Sequence, residues 1–207
     1  MLKKIKDDFS LMAILIIPIG IAIDFIGTQI GQMLHIPIFL SSIGSAAAGM
    51  LAGPWVAMII GVSGSVFKGV FNPTLLPFIV VTATIGLTIG YLAEKGMLKS
   101  IWRVIVSGII LTITSGSAAM LVQILVFKGF TGHADDLITA TFLSFGFNLW
   151  SSVALQQFFG GLIDKIPTIL IAFFIVKSMS SRYLSKFKLG HFYIKKQDIK
   201  KKNNKIN

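Results

Sequence analysis

Long apolar runs, separated by short polar or glycine-proline interruptions, dominate the chain and predict membrane-spanning helices. A bilayer core about 30 Å thick requires roughly 20 apolar residues per helix. Runs of this kind predict six spans, at about residues 9–33, 39–52, 55–70, 76–92, 101–127 and one within 137–176. The second and third runs are short for a full crossing, and the turn signal Gly53-Pro54 separates them.

The apolar stretch at 137–176 is far too long for one helix, so it holds either two crossings or one crossing preceded by a helix outside the membrane. The basic residues favour one crossing, because cytoplasmic segments are enriched in lysine and arginine. With six crossings, both termini share a side with the 94–103 loop, and only Lys68, Lys128 and Lys165 lie elsewhere. A seventh crossing would move the basic C-terminal tail outside.

This topology divides the chain into two parts. Residues 1–180 are expected to form a six-transmembrane-helix bundle, an all-α integral membrane fold with cytoplasmic N- and C-termini. An extracytoplasmic loop and helix is expected at about 128–161. Residues 181–207 are expected to form a basic cytoplasmic tail, which anionic lipid head groups would attract.

Composition supports a membrane protein and excludes an ordinary soluble domain. Hydrophobic residues make up 54% of the 207 residues and charged residues 13%, with a mean hydropathy of +0.83. Soluble proteins carry roughly 25% charged residues. The net charge of +11 is concentrated after Lys177, where it indicates a juxtamembrane tail rather than a nucleic-acid site. The absence of cysteine excludes disulfides, thiolate metal sites and a cysteine nucleophile.

Sequence motifs for catalysis are missing. The chain has no phosphate-binding loop ending in Lys-Ser/Thr, no HExxH zinc motif and no compatible Ser-His-Asp set. We therefore expect no enzyme, no metal site and no cofactor bound by this chain. A protein of this kind that concentrates a solute would take its energy from a partner or from an ion gradient.

Glycines recur at four-residue spacing in several predicted helices, as close helix packing in lipid requires. The pairs are Gly27 and Gly31, Gly49 and Gly53, and Gly86 and Gly90. Two interpretations stay open for them. They pack against other helices of this chain, or they form an interface with another membrane protein.

Asp24, Thr28 and Gln32 follow one another at four-residue spacing and form a polar stripe on the first helix. Polar groups inside a membrane usually face a cavity or a partner, because lipid cannot solvate them. The stripe therefore either lines a ligand pocket or places Asp24 where it hydrogen-bonds another helix.

Asp164 and Lys165 lie in the expected outer half of the last crossing, about 18 Å from its cytoplasmic end at 1.5 Å per residue. An adjacent carboxylate and ammonium either bind a polar ligand or neutralise each other. Pro167, just after them, indicates a helix start or a kink.

Other polar and aromatic side chains complete a set of candidate ligand contacts. Asn148, Trp150 and Gln156 combine amides with an aromatic ring, a chemistry that suits a flat heterocycle. Trp150 alone would also fit a membrane-interface residue. Lys68 and Asn72 border the loop after the third helix, where turn formation is the alternative role for Asn72. We expect the substrate-binding residues to be Asn72, Lys68, Asn148, Trp150, Gln156, Asp164 and Lys165.

A series of motifs between residues 35 and 78 resembles a known family. A Pro-aromatic-Leu loop precedes Ser-Ile-Gly, a small-residue helix, a Gly-Pro turn and a glycine-punctuated third helix. In this chain these are Pro37 to Leu40, Ser42 to Gly44, Gly53-Pro54, and Gly61 with Gly64. The segment Leu162 to Pro167 is also similar. The pattern resembles the substrate-binding S components of energy-coupling factor (ECF) transporters.

The resemblance implies a mechanism. An S component captures a vitamin or a related heterocyclic micronutrient from outside with high affinity, in the plasma membrane of a prokaryote. It delivers the nutrient inward together with a membrane-embedded T component and two cytoplasmic ATPase subunits, which use the ATP. Gly27 and Gly31 are the nearest match to the small-residue motif through which the family docks on its T component.

Two other functions stay open. The chain could be an autonomous small secondary transporter or channel, which would work without partners. It could also be a membrane enzyme acting on lipids, with acid and base groups from His133, Asp135, Asp136 and Asp164. The ligand of an S component is open as well, from pyridoxine-like compounds, thiamine precursors, riboflavin and pantothenate to queuosine precursors and nucleosides.

Overall fold

The computed structural model describes residues 8–33, 41–133 and 135–194, which are helical with short connections. Its α-helices are α1 Leu11–Met33, α2 Ile43–Ala52, α3 Pro54–Phe71, α4 Ile79–Glu94, α5 Ile101–Leu125, α6 Asp136–Ser144, α7 Leu149–Ser178 and α8 Ser181–Leu184. Pro73–Phe78 and Gly190–Phe192 form 3₁₀ helices. The Pro37 to Leu40 motif and the tail after Ile194 lie outside the described residues.

Within the described residues, five helical segments have the length and apolar composition of membrane spans: α1, α3, α5, α7, and α4 together with the 3₁₀ helix before it. The predicted all-α class is therefore confirmed, and the length and composition of these segments indicate a multi-pass membrane protein. The second predicted span is the ten-residue helix α2, which is about 15 Å long at 1.5 Å per residue. It reaches about halfway through a bilayer core of roughly 30 Å.

The short helix α2 is the centre of the bundle. It packs against α1, α3, α4 and α7, and most of its side chains are buried. Its sequence, rich in alanine and glycine, lets four helices approach closely, as packing in lipid favours. Met50 and Leu51 of α2 join Ile60, Ile89 and Phe173 in the apolar core.

A carboxylate from α1 accepts the hydrogen bonds of the free amides at the N-terminus of α2. The first amides of a helix have no partner within it, and the N-cap residue Ser42 makes no side-chain capping bond. Asp24 instead accepts hydrogen bonds from the Gly44 amide at 2.7 Å, from the Ser45 amide at 3.2 Å and from the Ser45 hydroxyl. Of the two interpretations of Asp24, the structure shows the helix-to-helix hydrogen bonds.

Glycines set the distances between helices. A Cβ on Gly44 would collide with the carbonyl of Gly20 in α1, and a Cβ on Gly90 would collide with the Cα of Pro54. Internal packing is therefore the role of these glycines. Gly27 and Gly31 are also buried within the chain, against its own helices and away from its outer surface. The predicted docking role of that pair is untested.

The region after α5 differs from the predicted loop and helix at 128–161. Only α6 is a separate helix there, and α7 runs without a break for 30 residues from Leu149, or about 45 Å. Pro167 lies inside α7 and does not start it. A proline is tolerated within a membrane helix because neighbouring helices restore contacts to the freed backbone groups.

The chain folds back on itself after α7. Within the predicted basic tail, residues 181–194 are ordered, because apolar side chains between the cations pack on the bundle: Leu184, Phe187, Leu189 and Tyr193 are buried. The Leu189 amide donates to the Leu51 carbonyl at 3.0 Å. Lys188 Nζ lies 2.6 Å from Asp8 Oδ1 and 3.0 Å from Glu94 Oε1. We call the end of the bundle that contains Asp8, Glu94 and Lys188 the termini end.

Replacing Gly90 by alanine should lower the stability of the bundle. The added methyl has no room against the Pro54 backbone, and overpacking of this kind costs about 2 kcal/mol. Thermal unfolding of the purified protein in detergent should show a lower Tm for Gly90→Ala. Gly64→Ala is the matched control, because a Cβ at that helical glycine meets nothing within 4 Å, and it should be neutral or stabilising. Equal Tm values for the two variants would contradict the packing.

Candidate functional site

A cavity of about 150 Å³ opens at the end of the bundle opposite the termini end. It lies beyond the N-terminus of α2, where that helix stops short. Its apolar wall comes from Leu75, Phe78, Val81, Ile85 and Ala119. Its charged or titratable side chains are Lys68, His133, Asp135 and Lys165. Hydroxyls and amides complete the lining: Thr28, Ser41, Ser65, Thr82, Gln123 and Gln157.

Lys68 projects into this cavity from the last turn of α3. The helix ends three residues later at Phe71, and a cation is favourable near the C-terminus of a helix dipole. Lys68 is only 7% exposed. Within the described part of the chain it makes no hydrogen bond or salt bridge, although Asp24 attracts it and Lys165 repels it at longer range.

The predicted pair Asp164 and Lys165 forms a salt bridge in the wall between the main cavity and a smaller one. The smaller compartment has a volume of about 80 Å³. Asp135, Gln157 and Lys165 line both compartments, so the two spaces are adjacent. The pairing agrees with the interpretation that Asp164 and Lys165 neutralise each other, while Lys165 still contributes to the main cavity.

Amides hold the mouth of the cavity in place. Gln157 Nε2 donates to Gln123 Oε1 at 2.7 Å, and Gln123 Nε2 donates to the Gly129 carbonyl at 2.9 Å. These bonds connect α7 and α5 to the loop before α6. The loop itself is shaped by Asp136, which accepts from the Gly132 amide at 2.6 Å and from Thr131 Oγ1 at 3.1 Å.

Asp135 adds a carboxylate to the cavity from this loop. Its Oδ2 accepts from Gln156 Nε2 at 3.3 Å. Asp135 Oδ1 and Gln156 Oε1 are buried without a hydrogen-bond partner among the described residues. Burial raises the pKa of Asp135, to which the charges of Asp136 and Asp164 also contribute, while His133 opposes the rise. The cavity thus offers hydrogen-bond acceptors as well as cations.

The structure brings some of the predicted site residues together and leaves others apart. Lys68, Gln156, Asp164 and Lys165 line the two compartments. Asn72 and Asn148 instead cap helices, accepting from the Thr74 amide at 3.2 Å and from the Ser151 amide at 2.8 Å. Trp150 is half exposed on the first turn of α7. These last three residues line neither compartment, and their contact with a ligand stays a prediction.

Several cavity residues were not predicted as ligand contacts. Gln123 is buried near the end of α5 and is the one amide side chain in that helix, a pattern that could have indicated it. Ser65 and Thr82 are hydrogen-bonded to each other at 2.9 Å across α3 and α4. Nothing in the sequence distinguishes these two hydroxyls from the many others that bond their own helix.

Comparisons with known proteins add no relative. No protein-family model, no curated protein and no solved structure matches this chain. Within the residues that the structure describes, no group of three His, Cys, Asp or Glu side chains could hold a metal ion.

Asp135 should make stability depend on pH. Because its pKa is raised in the folded protein, its favourable contribution is complete below the pKa of an unfolded aspartate, about 3.9. That contribution is lost as the pH rises through the raised pKa. Asp135→Asn, which cannot ionise, should match the wild-type Tm near pH 4 and exceed it at neutral pH. Thermal unfolding in detergent across that range measures the difference, and a pH-independent difference would contradict the assignment.

Proposed function

We propose that this protein is the substrate-binding S component of an ECF-type importer, which captures a small, vitamin-like molecule from outside the cell. The observation that carries the proposal is the mixed-charge cavity at one end of an otherwise apolar bundle. Ionisable groups inside a membrane protein are costly and mark binding sites or transport paths. Here they converge from α3, α7 and the loop before α6 onto one space.

The closed floor of the cavity favours capture over free passage. Between the cavity and the termini end lies the tightly packed core around α2, in which Met50, Ile60 and Ile89 are fully buried. A ligand that enters the cavity is therefore held at about half depth. Release to the other side requires a movement that this chain has no motif to energise, which is the task of a T component and two ATPases.

The proposed orientation places the cavity outside. Among the described residues, most of the lysines and arginines lie at the termini end, in the 94–103 loop and between Lys177 and Lys188. Under the positive-inside rule this end is cytoplasmic, in the plasma membrane of a prokaryote. The motifs between residues 35 and 78 support the same assignment through the family that they resemble.

A pair of serine-to-cysteine variants tests the orientation, because the native chain has no cysteine. Ser144 is the exposed last residue of α6 at the cavity end, and Ser185 is exposed after α8 at the termini end. A membrane-impermeant maleimide should label Ser144→Cys in intact cells and Ser185→Cys only after permeabilisation. The reverse pattern would place the cavity in the cytoplasm and would defeat the proposal.

Reconstitution into liposomes tests whether this chain only binds the substrate while the T component and the ATPases drive its transport. Proteoliposomes holding this chain alone should bind a compound from a radiolabelled set of pyridoxine, thiamine, riboflavin and pantothenate without accumulating it. Accumulation should require the T component, both ATPases and hydrolysable ATP. A non-hydrolysable ATP analogue in the same liposomes is the control. Uptake by the chain alone, with or without an ion gradient, would favour the autonomous transporter or channel.

A further inference from the structure

Among the described residues that line the cavity, Lys68 carries a charge that no other side chain neutralises by direct contact. Lys68 is more than nine-tenths buried and lines the main cavity. Among the described residues its ammonium has no hydrogen bond and no salt bridge. It lies one turn from the end of α3, a position from which lysines in membrane helices ordinarily extend to water.

The neighbouring charged side chains do not provide a bonded partner for the Lys68 ammonium. Asp24 attracts Lys68, but its carboxylate already accepts the bonds from Gly44 and Ser45 at the N-terminus of α2. Lys165 is paired with Asp164 and repels Lys68. A buried charge without a bonded partner is strongly unfavourable, so Lys68 lacks a bonded anion, which a ligand can provide.

We infer that Lys68 binds the anionic group, a carboxylate or a phosphate, of a small water-soluble ligand in this cavity. The inference rests on the proposed capture function and names its substrate class as organic anions. An anion at Lys68 would also reduce the repulsion between Lys68 and Lys165. Charge-assisted hydrogen bonds of this kind are among the strongest in proteins.

The other lining residues indicate the chemistry of the rest of the ligand. Phe78, Val81 and Ile85 offer an apolar and partly aromatic wall, suited to a flat ring. Asp135 Oδ1 and Gln156 Oε1 are acceptors without a partner in the described part of the structure, so they favour N–H or O–H donors. The lining therefore favours an acid with a flat or apolar portion and with hydrogen-bond donors away from its anionic group.

A lipid head group has the same anionic chemistry, but the position of Lys68 disfavours it. The cavity is enclosed by side chains from α1, α3, α4, α5 and α7, together with the loop before α6. Lys68 faces this interior, away from the outer surface of the bundle. The inference is therefore limited to water-soluble anions.

Matched compounds with and without an anionic group test the inference. The protein is purified in phosphatidylcholine nanodiscs, its retained small molecules are extracted and identified, and its Tm is measured with three pairs of compounds. The pairs are nicotinate and nicotinamide, pantothenate and pantothenol, and pyridoxal phosphate and pyridoxal. We expect an anionic member to raise the Tm, and its neutral counterpart to bind at least tenfold more weakly.

Variants of Lys68 test whether this residue is responsible for binding the anion. Lys68→Met should weaken binding of the anion at least tenfold, while Lys68→Arg should retain it. Lys128→Met is the matched control, since it removes the same charge from an exposed position near the cavity, and it should bind normally. Without added compound, Lys68→Met should be no less stable than the wild type, because it removes an unpaired buried charge.

Other results would overturn the inference, and they separate it from the proposed function. Equal binding of a neutral compound by the wild type and Lys68→Met would refute the anion site while capture still stands. A retained lipid, or a severe loss of stability in Lys68→Met, would show that Lys68 serves a lipid or Asp24 instead. No retained compound and no Tm shift with any probe would refute both the anion site and capture.

Discussion

The helix α2 begins inside an apolar bundle. Its first backbone amides must therefore find hydrogen-bond acceptors where no water is available. Asp24 of α1 meets this requirement with its carboxylate, which bonds Gly44 and Ser45. The rest of the architecture depends on this bond network, because α2 contacts α1, α3, α4 and α7. A ten-residue helix can occupy the centre of a membrane protein only if both of its ends are held in this way.

The cavity is a consequence of the same short helix. Since α2 fills only about half of the bilayer thickness, the longer helices around it enclose a space beyond its N-terminus. Polar side chains can face that space without meeting lipid. Lys165 reaches it already paired with Asp164, whereas Lys68 reaches it with no bonded partner in the described part of the chain. The difference separates a charge that the fold neutralises from one that is available to a ligand.

The sequence predicted the elements better than the contacts between them. Apolar length fixed most helix ends to within a few residues, because each long helix must match the bilayer. It did not predict that α7 continues unbroken through Pro167, where a helix start or a kink was expected. It also did not predict the packing of residues 181–194, where the many cations concealed the buried Leu184 and Tyr193. Of the site, the charged residues were predicted from their cost in lipid. The capping roles of Asn72 and Asn148 were not, since an amide that caps a helix and one that contacts a ligand look alike in sequence.

For the proposed capture function, the two ends of α2 also limit how a bound molecule would be released. Asp24 holds the N-terminus, and the Leu189 amide bonds the Leu51 carbonyl near the C-terminus. Lys188, bonded to Asp8 and Glu94, fastens the same end. Sliding α2 aside to open the floor of the cavity would break the bonds from Asp24 and from Leu189 together, and the Asp24 bonds are buried, where their loss is costly. Moving the bundle as one body keeps these bonds, so for the proposed capture function the contacts around α2 favour reorientation of the whole protein over an internal gate.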